Sequence, residues 1–142
     1  MNQKKEDIIY GNWYDLGTFE IAYFNNGIYH ARLKRDEVFT LQCIRKSMEF
    51  REKFQIFNAY MLVEFGEFST ADLDARIFSM TRDDEPFMAE AYVTNNLAQR
   101  IIVDNYVKHN KRNIPFARFD SVQEAYNWIE GLKNQSNLRT TV

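Results

Sequence analysis

The chain has 142 residues, of which 45% are hydrophobic and 27% charged, and its formal net charge at pH 7 is −2. This composition is typical of one globular domain and differs from that of a disordered chain. A net charge this small gives no overall field to attract nucleic acid, and no apolar run reaches the roughly 20 residues of a membrane span. We therefore expect neither a nucleic-acid nor a membrane partner.

The cysteine content and the N-terminus predict a cytoplasmic protein. Cys43 is the only cysteine, so no internal disulfide can form, and a lone thiol fits a reducing compartment. The first residues, MNQKKEDIIYG, lack the apolar core of a secretion signal. Residues 1–17 are interpreted as a polar tail followed by an aromatic approach segment with Tyr10, Trp13 and Tyr14, which would cover a sheet edge or contact a partner.

An antiparallel hairpin is predicted at the start of the domain. Residues 18–24 alternate apolar and polar side chains as a half-buried strand does, and Asn25-Asn26-Gly27 follows. Asn-Gly favours a tight hairpin turn because both residues adopt positive φ at low cost. The return strand, residues 28–34, is expected to have one face with Tyr29, Ala31 and Leu33 and another with His30, Arg32 and Lys34.

Helices and strands alternate over the rest of the domain. Apolar periodicity predicts a first helix from about Thr40 to Phe54. Polar caps predict that three further helices begin at Ser69-Thr70, at Asn95 or Asn96, and at Ser121. Strands are predicted over residues 58–65, 87–94 and 116–119. The expected buried stripes of the four helices are Leu41, Ile44 and Met48; Leu73, Ile77 and Phe78; Leu97, Ala98, Ile101, Ile102 and Tyr106; and Val122, Ala125, Tyr126, Ile129 and Leu132.

The element order is therefore ββαβαβαβα, which predicts an α/β fold with four helices and a mixed sheet of four to five strands. Strands that alternate with helices pair in parallel through right-handed crossovers, whereas the N-terminal hairpin is antiparallel. We expect a single domain over residues 18–133 and a frayed polar tail over residues 134–142.

Polar residues at the carboxyl ends of the predicted strands form the first candidate site, called here the polar rim. Ligands of parallel sheets bind at these ends, and helix N-termini there favour anions. Helix capping alone accounts for the same residue types. The candidate anion or ligand residues of the polar rim are Ser69, Thr70, Thr94, Asn95, Asn96, Asp120 and Ser121.

The element order and several local phrases resemble the STAS superfamily, in particular the SpoIIAA-like anti-sigma-factor antagonists, which are small single-domain bacterial proteins. The resemblance covers residues 18–133, and its parts are the Asn-Gly hairpin, the buried strand before Gly66, the helix Leu97–Lys108 with its basic connector, and the ending RFDSVQEAYNWIEGL. It implies a regulatory domain whose serine, at the start of the helix after the central strand, is phosphorylated by a partner kinase. By position, Ser69 or Thr70 is the counterpart of that serine.

The sequence contains no recognisable catalytic constellation. His30 and His109 lie far apart and lack the ligand spacing of a metal site. Cys43 lies beside an apolar stripe, as an inert buried thiol does. No glycine-rich phosphate loop and no nucleophile elbow is found. We therefore expect no enzyme, no metal and no cofactor.

Three functions remain open. The leading expectation is a non-catalytic cytoplasmic interaction or regulatory domain that binds another protein or a second copy of itself. The second is binding of an apolar or anionic small ligand at the carboxyl ends of the strands. The third is a phospho-switched, antagonist-like regulator that uses Ser69 or Thr70.

Overall fold

Strands with alternating apolar residues form a central sheet, and helices pack against it. The computed structural model describes residues 7–81 and 87–140. The start of the predicted N-terminal tail (residues 1–6) and the last two residues of the predicted C-terminal tail lie outside the described residues. In chain order the elements are β1 Tyr14–Asp15, β2 Phe19–Tyr23, β3 Ile28–Leu33, β4 Val38–Phe39, α1 Leu41–Lys53, β5 Tyr60–Glu64, β6 Thr70–Ala71, α2 Leu73–Thr81, β7 Ala89–Val93, α3 Leu97–His109, β8 Phe116–Phe119 and α4 Val122–Thr140.

The main sheet has six strands in the order β1-β2-β3-β5-β7-β8, and β4 and β6 form a separate parallel pair. β2 is antiparallel to both β1 and β3, whereas the neighbours from β3 to β8 are parallel. The α/β class, the N-terminal hairpin and the parallel remainder are thus confirmed. The main sheet exceeds the predicted four to five strands because Tyr14–Asp15, from the expected approach segment, pairs with β2 as an edge strand.

The hairpin has the predicted strands and a different turn. Only Gly27 adopts positive φ, at 88°, and its N–H donates to the Phe24 carbonyl across 3.0 Å. The Asn26 side chain accepts from the Ile28 N–H across 3.1 Å. A turn followed by one left-handed glycine is the usual three-residue hairpin loop. Asn26 therefore contributes its side chain, not a positive φ, to the turn.

Helices cover the sheet unequally on its two faces. The face that carries Phe19, Tyr29 and Leu33 packs against α1 and α3, with α2 between those helices, and is called here the three-helix face. The opposite face, with Ile28, Leu62 and Ala91, packs against Ala125 and Ile129 of α4. The face predicted for Tyr29, Ala31 and Leu33 is confirmed, because all three enter the core of the three-helix face. On the other face of β3, Ile28 enters the opposite core and His30 contacts the Tyr126 ring of α4.

The predicted buried stripes of α2 and α3 are wrong in part. Leu73 and Ile77 of α2 are 57% and 45% exposed, and Leu97 and Ile101 of α3 are 70% and 62% exposed. Phe78 and Ala98 are exposed as well. The buried residues are instead Ala75 on α2 and Gln99, Val103 and Tyr106 on α3. Only Tyr106 belongs to both the predicted and the observed sets.

The face that α2 buries differs from the predicted one because the helix begins later than predicted. Residues Thr70–Ala71 pair with β4, and the Thr70 N–H donates to the Glu37 carbonyl across 3.0 Å, so the chain is still extended there. α2 begins at Leu73, with the Asp72 carboxylate accepting from the Ala75 N–H across 2.9 Å. The predicted start at Ser69-Thr70 is therefore wrong, and Asp72 is the cap.

Ring contacts and helix are found at the two ends of the described chain. Trp13 lies under the Arg32 guanidinium at 3.9 Å, and the Tyr14 ring contacts Phe50 at 5.2 Å between centroids. α4 continues to Thr140, so residues 134–140, which were expected to fray, are helical. No helix within the described ranges is long and apolar enough to cross a bilayer.

Candidate ligand-binding site

Part of the polar rim is brought together at the start of α3, where its groups bind one another. Gln99 is 2% exposed, and its Nε2 donates to the carbonyl oxygens of Gly66 and Ser69, both across 2.9 Å. Its Oε1 accepts from the Asn95 N–H across 2.8 Å, and the Asn95 side chain donates to the Phe65 carbonyl. Gln99, which sequence reasoning missed, thus holds the segment before α2 against the start of α3.

The helix N-termini at the polar rim are capped by the chain itself. The Asn96 side chain accepts from the Gln99 N–H across 2.9 Å at the start of α3. The Ser121 hydroxyl accepts from the Glu124 N–H across 3.2 Å at the start of α4. These contacts confirm the two predicted caps, and they use donors that a bound anion would need.

The remaining polar-rim residues lie to one side, around Arg118. Asp120 contacts Arg100 and Arg118, each across 3.0 Å. Thr94 is 2% exposed and accepts from Arg118 across 3.4 Å. Asp104 also contacts Arg118, across 2.6 Å, and this contact leads the causes that raise the pKa of the guanidinium. Asp120 and Thr94 thus belong to a surface ion-pair network separate from Ser69 and Thr70.

Ser69, the first candidate for phosphorylation, is 2% exposed, and its hydroxyl donates to the Gly66 carbonyl across 2.8 Å. Thr70 is half-buried in β6 and precedes the helix by three residues. Neither residue stands at the N-terminus of α2, where the helix dipole would stabilise a phosphate.

A cavity lies deeper, between the three-helix face of the sheet and helices α1, α2 and α3. Its volume is about 100 Å³. Most of its wall is apolar, including side chains from β2, β3, β5 and α3. The lining residues are Phe19, Ala31, Leu33, Phe39, Ile44, Ser47, Arg51, Met61, Val63, Phe65, Ala71, Ala75, Arg76, Ser79, Phe87, Glu90, Tyr92, Ile102, Val103, Tyr106 and Arg112.

A buried cluster of charged and phenolic groups forms one part of this wall. The Arg112 Nη2 contacts the Glu90 carboxylate across 2.8 Å, and their side chains are 6% and 2% exposed. The same nitrogen donates to the Tyr106 hydroxyl across 3.2 Å, and the Tyr92 hydroxyl donates to Glu90. Glu90 and Tyr92 share one face of β7, so the alternation of that strand places both toward the cavity.

Burial and the Glu90 charge fix the protonation states of this cluster. Burial raises the pKa of Tyr106 to about 12, and Glu90 adds to the rise. The pKa of Tyr92 is raised well above its ordinary value for the same two reasons. Burial alone would lower the pKa of Arg112, but attraction to Glu90 outweighs burial and raises it. Arg112 is therefore a cation, and both phenols keep their protons at neutral pH.

Two nitrogens of Arg112 retain hydrogen-bonding capacity. Its Nε and Nη1 are buried and have no hydrogen-bond partner among the residues that the structure describes. The guanidinium also lies over the Phe116 ring, 4.9 Å from the centroid. Buried donors are normally satisfied, so two such nitrogens beside a cavity mark a place where a polar ligand atom would fit.

The cavity wall carries more positive than negative charge. Arg51, Arg76 and Arg112 line it, with Glu90 as the one carboxylate among the lining residues that the structure describes. Arg51 is buried and lies over the Phe87 ring at 4.5 Å, whereas Arg76 donates to the Ala71 carbonyl across 3.2 Å. Within residues 7–81 and 87–140, no group of three or more His, Cys, Asp or Glu is placed to hold a metal ion.

Sequence reasoning missed Glu90 and Arg112. Glu90 occupies an inward position of the strand AEAYV, in which every residue is buried. A single carboxylate inside so apolar a strand was the available signal, because buried acids are paired. Arg112 belongs to the basic connector after α3 and gives no sign of burial in the sequence.

Comparison with known families gives a match over most of the chain. The family described as "Domain of unknown function (DUF7793)" has a sequence model that matches residues 22–133. This range contains every cavity-lining residue except Phe19. No curated protein and no solved structure matches the chain.

Proposed function

The chain belongs to the family described as "Domain of unknown function (DUF7793)", and we propose that it is a binding domain for a small amphipathic molecule held in the core cavity. This is the second of the three functions expected from the sequence, with the ligand placed beneath the polar rim instead of on it. The observation that carries the proposal is the apolar cavity with the buried Glu90–Arg112 pair in its wall.

The combination of an open space and a buried ion pair supports binding over a purely structural role. Protein interiors are packed to the density of organic crystals, and empty volume costs stability. Buried ion pairs are often replaced by apolar residues with no loss of stability. A core selected for stability alone has reason to keep neither feature, whereas an amphipathic ligand uses both.

The size of the cavity limits the ligand to a few non-hydrogen atoms. An engineered apolar cavity of about 150 Å³ is known to bind benzene. At about 100 Å³, this cavity is smaller. A four-carbon chain with one polar end is the size of probe that it admits, and weak binding is expected because so few atoms make contact.

The test is a titration with butyrate, followed by the amide resonances of the protein in two-dimensional NMR spectra. Saturable shifts are expected at Ala75 and Val103, which line the cavity, and Ala75→Leu should abolish them by filling the space. Ala98→Leu makes the same substitution at an exposed position of α3 and should leave binding unchanged. Shifts that fail to saturate, or that survive Ala75→Leu, would contradict the proposal.

A second function, protein interaction, is supported by the exposed apolar side chains of α2 and α3. Leu73 and Ile77 lie one turn apart on α2, as Leu97 and Ile101 do on α3, and all four are more than 40% exposed. Large exposed apolar side chains that follow helical spacing are typical of docking surfaces. If this surface mediates self-association, Ile101→Lys should lower the mass measured by sedimentation at high protein concentration.

Phosphorylation at Ser69 or Thr70 has less geometric support. The Ser69 hydroxyl is buried and hydrogen-bonded, so a kinase would have to open the segment that Gln99 holds. Thr70 is the better placed of the two, because it is half-buried.

A further inference from the structure

We infer that the polar end of the ligand is a carboxylate that binds Arg112, an inference that rests on the proposed function of the cavity. The ligand class is then a small monocarboxylic acid with an apolar tail. Three observations carry the inference: the charge of the wall, the two Arg112 nitrogens without a partner among the described residues, and the apolar side chains that line the same cavity.

The charge of the wall favours an anion. Among the lining residues that the structure describes, positive side chains are in excess, with three arginines to one glutamate, and the Arg112 and Glu90 side chains are only 6% and 2% exposed. Charges interact more strongly there than in water, because the effective dielectric constant is lower. An anionic ligand reduces the excess, whereas an ammonium ligand adds to it.

The geometry of Arg112 indicates where the anion binds. Glu90 and Tyr106 both contact Nη2, at 2.8 and 3.2 Å, which leaves Nε and Nη1 without a partner among the described residues. These nitrogens only donate, so they require an acceptor. Hydrogen bonds from guanidinium to carboxylate are shorter and stronger than neutral ones. Glu90 thus acts as a positioning residue that fixes one side of the guanidinium and leaves the rest for the ligand.

The apolar wall distinguishes a carboxylic acid from inorganic phosphate. Leu33, Phe65 and Val103 line the same cavity and offer no polar contact through their side chains. An alkyl tail gains free energy by covering them, whereas the oxygens of a phosphate would face them without partners. Glu90 also repels a dianion more strongly than a monoanion. A monoanion with a short hydrocarbon tail satisfies both parts of the wall.

The experiment compares three ligands of nearly equal size, butyrate, 1-butanol and butylamine, by NMR titration. Butyrate is expected to bind wild-type protein about tenfold or more tighter than 1-butanol, because charge-assisted hydrogen bonds are roughly twice as strong as neutral ones. Butylamine should not bind. The double variant Glu90→Gln/Arg112→Gln removes both charges of the pair and should bring butyrate to the affinity of 1-butanol.

If the double variant does not fold, a second variant tests the same role of Arg112. Arg112→Lys keeps a cation beside Glu90 but lacks the planar Nε and Nη1 donors, so the preference for butyrate over 1-butanol should fall, by less than in the double variant that also removes the charge. Ala98→Leu should change none of the affinities.

The outcomes separate this inference from the proposed function. Equal binding of butyrate and 1-butanol to wild-type protein would overturn the carboxylate inference and leave the cavity proposal standing. Unchanged butyrate preference in both Arg112 variants would overturn the role of Arg112. If neither butyrate nor 1-butanol gives saturable shifts, the proposed function itself fails.

Discussion

The side-chain amide of Gln99 donates to the backbone carbonyl of Ser69 across 2.9 Å, and this bond ties the first turn of α3 to the segment before α2. A second bond from the same nitrogen reaches Gly66. A polar residue therefore lies on the buried face of α3, while the apolar Ile101 of the same helix faces solvent.

The first prediction compares two substitutions on α3, an apolar residue in place of the buried Gln99 and a polar residue in place of the exposed Ile101. Gln99→Leu should destabilise the protein by about 1–3 kcal/mol, because it leaves the buried Ser69 carbonyl without the Gln99 donor, and a buried backbone group without a partner costs about that much. Ile101→Gln should change stability by less than about 0.5 kcal/mol, as exposed substitutions do. Urea unfolding of both variants measures the difference. Comparable losses would show that the inner face of α3 has been misassigned.

The second prediction concerns the buried ion pair. Glu90→Gln leaves Arg112 as an uncompensated buried cation, and breaking a buried pair in this way costs about 3–5 kcal/mol. The control is Glu20→Gln, which breaks the Glu20–Arg32 contact of 2.9 Å between side chains 27% and 41% exposed. Such pairs contribute about 0–1 kcal/mol. Thermal unfolding should therefore separate the two variants clearly, and equal effects would mean that the Glu90–Arg112 pair is open to water.

The third prediction tests the close approach of two chain segments at Gly66. A Cβ at Gly66 would lie 2.4 Å from the Leu33 carbonyl oxygen, a backbone atom that cannot rotate away. Gly66→Ala should destabilise the protein by about 1–3 kcal/mol, the usual cost of overpacking. Gly131→Ala places its Cβ in open space within α4 and should stabilise by about 0.5–1 kcal/mol. Chemical denaturation should give opposite signs; a stabilising Gly66→Ala would refute the contact.

The fourth prediction uses two buried alanines in different surroundings. Ala75 lines the cavity, so Ala75→Leu has space for its added carbons and should keep or raise the melting temperature. Ala125 is fully buried between α4 and the sheet, and Ala125→Leu should cost about 1–3 kcal/mol through overpacking. Differential scanning calorimetry of the pair reports whether the space beneath α2 exists in solution. A large loss on Ala75→Leu would argue that it does not.

The fifth prediction is a loss of stability at alkaline pH. The pKa of Tyr106 rises from an ordinary value of 10.0 to about 12 in the folded protein. Above pH 10 the unfolded chain releases this proton while the folded chain retains it, so stability is full below about pH 10 and declines as pH rises toward 12. Tyr106→Phe should make this decline shallower in urea titrations across that range. An unchanged slope would place the titration elsewhere.

Much of the fold could be predicted because it depends on local patterns. The hairpin strands, the alternation of helices with strands and the caps Asn96 and Ser121 all follow from periodicity or from short-range hydrogen bonds. Pairing of Val38–Phe39 with Thr70–Ala71 depends on contact between distant segments, and no local pattern reveals it. That pairing delays α2 to Leu73 and turns Leu73 and Ile77 outward.

The candidate site was harder to predict than the fold. Sequence reasoning placed it at the carboxyl ends of the strands, where residues such as Asn95 and Asn96 do meet. Their hydrogen-bonding groups are used within the chain, and the space lies below them. Glu90 and Arg112 are 22 positions apart in the sequence and meet only because β7 and the connector after α3 converge. Such a pair becomes visible only in three dimensions.

The small side chains that β6 and α2 contribute to the cavity have a consequence for its size. Ala71, Ala75 and Ser79 bound the cavity from elements that add no strand to the main sheet. Larger or smaller residues at these three positions change the room available to a ligand while the sheet and the Glu90–Arg112 pair stay as they are. Under the proposed function, single substitutions at these positions set the size of the ligand that fits the cavity.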